Sequence, residues 1–329
     1  MRQAMQRILS EFDTGRDCVW AMIVTAGGST PRGVGSQMLV GENGRLCGTI
    51  GGGAVEGRSI EQAQRLVSEH RSLRRDFVLH PAPGSIGMVC GGDVSVWFQF
   101  LSHEDAALRA AIGTALENLG KSLEGCLKFD LSEASVAYAP GRAAACASDG
   151  CFLLPVPVGE RVLVFGAGHV SRALVPLLCT VGFRPTVYDS RAEFVTREAF
   201  PDAARLVCAD FEKIYGNIDY SPDDYAVVMT SGHGYDFEVQ RQLLTRDYAY
   251  VGVIGSASKK AAVNARLREA GISEEKLAFV HTPIGTRIRA VTPEEIAVSI
   301  AGEMILVRAE RRDAAGTAHA ACPMHGSGA

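Results

Sequence analysis

Apolar positions change period part-way along this chain. Met5, Ile8, Leu9 and Phe12 recur at helical spacing and predict an amphipathic helix at the start. Cys18 to Ala26 is a short apolar run ended by Gly27-Gly28, which predicts a strand opening into a loop. Gln37 to Val40 and Arg45 to Ile50 flank Glu42-Asn43-Gly44, a good hairpin turn because Asn-Gly tolerates positive φ. Val55, Ile60, Ala63, Leu66 and Val67 predict a helix over Ala54 to His70, and Leu73 to Leu79 and Val94 to Leu101 predict two closing strands. Together, residues 1–104 read as an N-terminal α+β domain. Residues 105–157 read as a connecting segment, with a helix from Asp105 to Leu119 and weaker strand-like text up to Ala139.

From Arg161 the grammar alternates. Val162 to Phe165, Arg184 to Tyr188, Arg205 to Val207, Ala226 to Met229 and Tyr250 to Ile254 have the length and apolarity of buried strands. Helical stretches separate most of them: Ser171 to Thr180, Phe237 to Thr245 and Lys259 to Ala270. Such alternation means βαβ units and a parallel, doubly wound sheet. The expected fold class is therefore α/β: the N-terminal α+β domain plus a C-terminal Rossmann-like domain over 158–312, with a flexible tail over 313–329.

Composition narrows the partners. The chain has 329 residues, 47% of them hydrophobic, and a net charge of −4. No basic footprint points to nucleic acid or a membrane surface. No apolar run approaches the roughly 18 residues of a membrane helix, and the opening does not read as a signal peptide. Nine cysteines without paired spacing argue against a disulfide framework and for a cytoplasmic, reduced protein. Cys322-Pro-Met-His325 resembles half of a metal site, but a structural zinc needs four ligands, so a solvated tail explains it better.

Candidate chemistry lies in glycine-rich loops. Val162 to Phe165 runs into Gly166-Ala-Gly168-His169-Val-Ser171, and Asp189 follows about 20 positions on. Strand, glycine turn, helix and late acid form the Rossmann fingerprint, in which the turn receives a phosphate and the acid a ribose hydroxyl pair. Ser171 stands where the third glycine normally lets helix and strand pack closely, and His169 puts a titratable ring at the mouth. The turn alone leaves three readings open: a dinucleotide, another phosphorylated ligand, or a tight corner without ligand.

Three more loops lie in the first domain. Gly27, Gly28, Ser29, Thr30 and Arg32 offer backbone N–H groups, hydroxyls and a guanidinium fork, the parts of an anion site. Gly51, Gly52 and Gly53 lead into the helix from Ala54, whose positive end would favour an anion. Glu56 in its first turn is a helix-end carboxylate or a ligand contact. Cys90, with Gly91 and Gly92, is a soft metal or sulfur ligand or a small buried hydrophobe.

The stretches VTAGGSTPRGVGSQMLV, GTIGGGAVEG, GMVCGG, GAGHVSRAL, VVMTSGHGYD, YVGVIGSASKK and TPEEIAVSIAGEMI, in this order from about Val24 to Ile305, resemble the xanthine dehydrogenase accessory family, XdhC/CoxI. The resemblance implies a molybdenum-cofactor chaperone rather than turnover of a metabolite. Such a protein binds the cofactor, in its pterin or pterin dinucleotide form, protects it during sulfuration and delivers it to a xanthine dehydrogenase-type molybdenum hydroxylase. The implied partners are that hydroxylase and a cysteine desulfurase; a homodimer is left open. The resemblance makes Cys90 the candidate molybdenum contact and His233, beyond a strand end, a ligand candidate beside the retained Asp236. It suggests that Gly51 to Gly53 present backbone N–H groups to an anionic cofactor in an interdomain cleft. Two departures stand out. Pro283-Ile-Gly-Thr-Arg287-Ile-Arg289 is basic where the family pattern is acidic, and Ser231 occupies a position that is often basic. The rival readings are an NAD(P)-dependent oxidoreductase using Gly166, Gly168 and Asp189, and a scaffold with a vestigial nucleotide site.

Overall fold

The run CVWAMIV does not alternate because its strand, β1 (Cys18–Gly27), is the middle of five and is covered on both faces. Val19, Ala21 and Ile23 share one core with Val55, Ala63, Leu66 and Val67 of helix α2 (Gly53–Glu69). Trp20, Met22 and Val24 share another with Met5, Ile8 and Phe12 of α1 (Arg2–Asp13) and Leu108, Ile112 and Ala115 of α3 (Ala106–Gly120). Each fully buried Val, Leu, Ile, Phe or Met side chain among them contributes roughly 1.5–3 kcal/mol of transfer free energy. The remaining strands of this sheet are β2 (Gln37–Gly41), β3 (Gly44–Thr49), β4 (Leu73–Val78) and β5 (Asp93–Leu101), in the antiparallel order β3-β2-β1-β5-β4.

The computed structural model describes residues 1–28, 30, 32–78, 92–141, 143–148, 150–231 and 233–314. It divides into two compact units, Met1–Val158 and a second beginning at Gly159. Residues 105–157 belong to the first unit. There β6 (Gly125–Asp130), β7 (Ser135–Pro140), β8 (Cys146–Ser148) and β9 (Cys151–Val156) form a four-stranded antiparallel sheet, in the order β7-β6-β9-β8. Phe129 of β6 and Phe152 of β9 join the core of α1 and α3. Trp20 meets the Phe129 ring edge-on at 5.6 Å between centroids.

The second unit is a parallel sheet: β10 (Arg161–Phe165), β11 (Arg184–Asp189), β12 (Arg205–Cys208), β13 (Tyr225–Val228) and β14 (Tyr250–Val253), in the order β12-β11-β10-β13-β14. Along β10, Val162 and Val164 enter the core with α4 (His169–Thr180) and α8 (Pro293–Ala314). Leu163 and Phe165 enter the opposite core with α5 (His233–Leu243) and α6 (Ala257–Glu269). Helices on both faces make it doubly wound. A short helix, α7 (Glu274–Phe279), precedes α8, which starts with Pro at its first position. Thr292 Oγ1 there accepts from Glu295 N–H at 3.2 Å while Glu295 Oε2 accepts from Thr292 N–H at 3.1 Å, a capping box.

Candidate functional site

In an open parallel sheet, ligands sit beyond the carboxyl ends of the strands where strand order reverses. Here that point lies between β10 and β13. Gly166 leaves β10 at φ +111°, a conformation L side chains rarely adopt, and a Cβ there would lie 2.3 Å from the Met229 carbonyl oxygen at the end of β13. Its own N–H donates to Tyr188 O of β11 at 2.8 Å. The turn is thus wedged between both neighbouring strands. Gly168, the N-cap of α4, has ordinary backbone angles and open space within 4 Å of a Cβ. The first glycine therefore serves the fold, and the second leaves room on the ligand side. Ser171 is buried and donates its hydroxyl to the Gly166 carbonyl, which absorbs the polar group at the close-packed third position. His169 is exposed at the mouth.

Asp189 ends β11 fully buried, with both oxygens engaged. Oδ2 accepts from Ala167 N–H at 2.8 Å and from Arg191 Nη2 at 2.9 Å; Oδ1 accepts from Arg191 N–H at 3.1 Å and Nε at 3.0 Å. Burial pushes its pKa up, and the Arg191 and Ala167 donors outweigh it, holding the carboxyl below the usual carboxylate range. The Arg191 guanidinium lies over the Phe194 ring at 4.2 Å, and that of Arg172, on α4, is 5.8 Å from the same ring.

A second buried acid ties the neighbouring turns. Asp236, in the first turn of α5, accepts from Thr230 N–H at 3.2 Å and Thr230 Oγ1 at 2.5 Å, and from Lys259 Nζ. Lys259 lies in the first turn of α6, where the Ser256 hydroxyl caps its N–H at 3.2 Å. Asp236 thereby joins the turn after β13 to the turn after β14. His233 is the first residue of α5.

In the first unit, ladder register gathers the glycine loops at one end of the sheet. Gly27 pairs with Asp93, so Gly28 and Gly92 leave their strands at the same end, and Gln37 pairs with both Met22 and Thr49. Gly51, Gly52 and Gly53 follow Thr49 with φ of +145°, +106° and +62°, a sequence of angles suited to glycine alone. The Gly51 N–H is taken by Thr49 Oγ1 at 3.1 Å. The Glu56 carboxylate accepts from Arg45 Nη1 at 2.7 Å and from the Thr49 hydroxyl, fastening α2 to β3. Thr30 Oγ1 donates to Arg32 O at 3.1 Å, and Arg32 is exposed.

Family comparison covers both units. The XdhC Rossmann-domain model matches residues 162–304 and the XdhC and CoxI family model matches residues 12–78. The chain belongs to the XdhC/CoxI family. It is 29% identical over 297 residues to the uncharacterized protein YqeB of Escherichia coli K12, aligning 89% of its own length and spanning only 44% of YqeB. To a protein of Bacillus subtilis 168 named as a probable subunit of xanthine dehydrogenase it is 25% identical, over 89% of this chain and 93% of that one. To the molybdenum cofactor insertion chaperone PaoD of E. coli K12 it is 22% identical, over 95% and 89%. A crystal structure described as a xanthine dehydrogenase from Bacillus halodurans shares the fold, with a TM-score of 0.75 at 24% identity, over 94% of this chain and 97% of that one.

Against the family pattern, the structure brings Gly166, Gly168, His169 and Asp189 together around one turn, and Gly27, Gly28, Gly51 to Gly53 and Gly92 at one sheet end. Ser29, Cys90, Gly91 and the tail from residue 315, with Cys322 and His325, lie outside the described residues. Among the described residues, no cluster of three or more His, Cys, Asp or Glu could hold a metal ion, and no helix is long and apolar enough to cross a membrane. The basic loop with Arg287 and Arg289 is pinned to α8: Gly285 N–H donates to Glu303 Oε2 at 3.0 Å and Ser299 Oγ to Thr286 O at 2.6 Å. Sequence reasoning missed Arg172, Arg191 and Lys259. Arg172 and Arg191 were visible in HVSR and VYDSR, three and two residues beyond His169 and Asp189.

Proposed function

We propose that this XdhC/CoxI-family chain is an accessory protein for maturation of a xanthine dehydrogenase-type molybdoenzyme, carrying molybdenum cofactor as cargo in the cytoplasm. The supporting observation is that, among the described residues, each unit builds its candidate site from glycine turns. Gly168 leaves open space at a helix N-terminus, and Gly51 to Gly53 lead into α2 through backbone that only glycine adopts readily. Backbone N–H groups at such places suit the phosphate of a pterin cofactor. Two relatives, one named as a probable part of xanthine dehydrogenase and the other as a cofactor insertion chaperone, agree with this reading.

In the finer proposal, the Rossmann turn around Gly166, Gly168 and His169 takes the phosphate, and Cys90 meets the molybdenum–sulfur end. The cofactor is shielded while a cysteine desulfurase supplies its terminal sulfur, and is then handed to the hydroxylase. The test is production of such a hydroxylase with and without this chain. The hydroxylase should carry full-length polypeptide in both cases, with its molybdenum content and activity falling severalfold when the chain is absent. Equal molybdenum loading and activity in both would overturn the proposal.

A further inference from the structure

A Rossmann site that binds an unmodified nucleotide needs a carboxylate at the end of its second strand with lone pairs to spare for the ribose hydroxyls. Asp189 occupies that position and has none to spare. An ionised carboxylate offers about four acceptor sites. Asp189 uses them on Ala167 N–H, Arg191 N–H, Arg191 Nε and Arg191 Nη2, at 2.8 to 3.1 Å, with the residue fully buried. A sugar diol arriving there would have to displace one of these donors from a buried carboxylate.

The same pair presents cations instead. The Arg191 side chain is 34% exposed, with its guanidinium over the Phe194 ring. Arg172, exposed on the first turn of α4, shares that ring. Two guanidiniums around one aromatic ring, next to a glycine turn and a helix N-terminus, offer forked donors to a phosphoryl group. Glu193 is the exposed acid whose field also reaches Arg191, and it opposes an incoming anion.

We infer that the position beyond β11, between Arg172 and Arg191, receives a phosphomonoester and rejects a ribose diol. Ligands ending there in a free phosphate are accepted, while a dinucleotide with an unmodified ribose is not. Within the cargo reading of the Rossmann unit, this position is distinct from the Gly166–Gly168 turn and disfavours a dinucleotide form whose unmodified ribose would lie beyond β11. It rests on that reading, yet its test contains no molybdenum, so either can fail alone.

The test is equilibrium binding of adenosine 2′,5′-bisphosphate, adenosine 5′-monophosphate and NAD to the full-length chain by calorimetry. The bisphosphate places a phosphomonoester where the other two place a ribose hydroxyl. It should bind roughly tenfold or more tightly than either, since charge-assisted hydrogen bonds are the strong ones. Arg172→Ala should remove most of that preference, and Glu193→Gln, exposed and remote from the core, should increase it severalfold. Equal affinities for all three probes, tighter binding of NAD, absence of binding by any probe, or a preference untouched by both substitutions would each overturn the inference.

Discussion

Gly166→Ala should destabilise the C-terminal unit by about 2–6 kcal/mol, because two independent penalties add. One is conformational: at φ +111° an alanine is strained wherever its methyl points. The other is steric, since the new Cβ would sit 2.3 Å from Met229 O and 3.1 Å from Thr230 Cα, backbone that cannot rotate away. Relief requires the ends of β10 and β13 to separate, which also opens the ligand side of the sheet. Gly168→Ala is the control. Its φ of −77° and empty surroundings predict a change within about 1 kcal/mol, combined with weaker ligand binding. Chemical denaturation of both variants decides the matter. Equal stability losses would refute the division of labour between the two glycines.

Lys259→Met should cost about 3–5 kcal/mol, the usual consequence of leaving one member of a buried ion pair behind. Methionine keeps most of the aliphatic stem, so the loss is not one of packing. Asp236 is fully buried and would keep its Thr230 donors but lose its cation. The double variant Asp236→Asn with Lys259→Met removes the orphaned charge and should recover much of the loss. A single variant as stable as the parent would mean that Asp236 does not hold the turns after β13 and β14 together.

Much of this architecture is legible in the chain because local pattern and tertiary role agree. The strand at Val162 is apolar throughout since both its faces are covered, and the glycine turn after it is required by contact with β13. β1 is equally readable for the same reason. The sheet β6–β9 is written more faintly: β8 is three residues long and exposed, and β7 is half-exposed, so neither shows a firm period. Helix α8 is the longest element, and Ala297, Ile300, Ala301 and Met304 mark its buried stripe at helical spacing. Exposed Val298, Ile305 and Leu306 blur that stripe into a continuous apolar text.

Side-chain partnerships were less legible than backbone. Asp189 carries the fingerprint's acid at the expected distance, but whether it faces a ligand depends on Arg191 two residues on, and spacing alone does not show an arginine folding back. The Asp236–Lys259 pair joins residues 23 apart in sequence. Only the adjacency of β13 and β14 brings them together. Glu56 showed the opposite: a first-turn carboxylate can serve the helix end, and here Arg45 and Thr49 occupy it.

The central claim is that this chain carries molybdenum cofactor, and anaerobic equilibrium binding of that cofactor to the full-length protein tests it most directly. NAD(H) serves as the control, with Cys90→Ser measured alongside. The account predicts one cofactor bound per chain, with weaker binding in the cysteine variant. Nicotinamide nucleotide binding with no binding of molybdenum cofactor would contradict it and leave an oxidoreductase in its place.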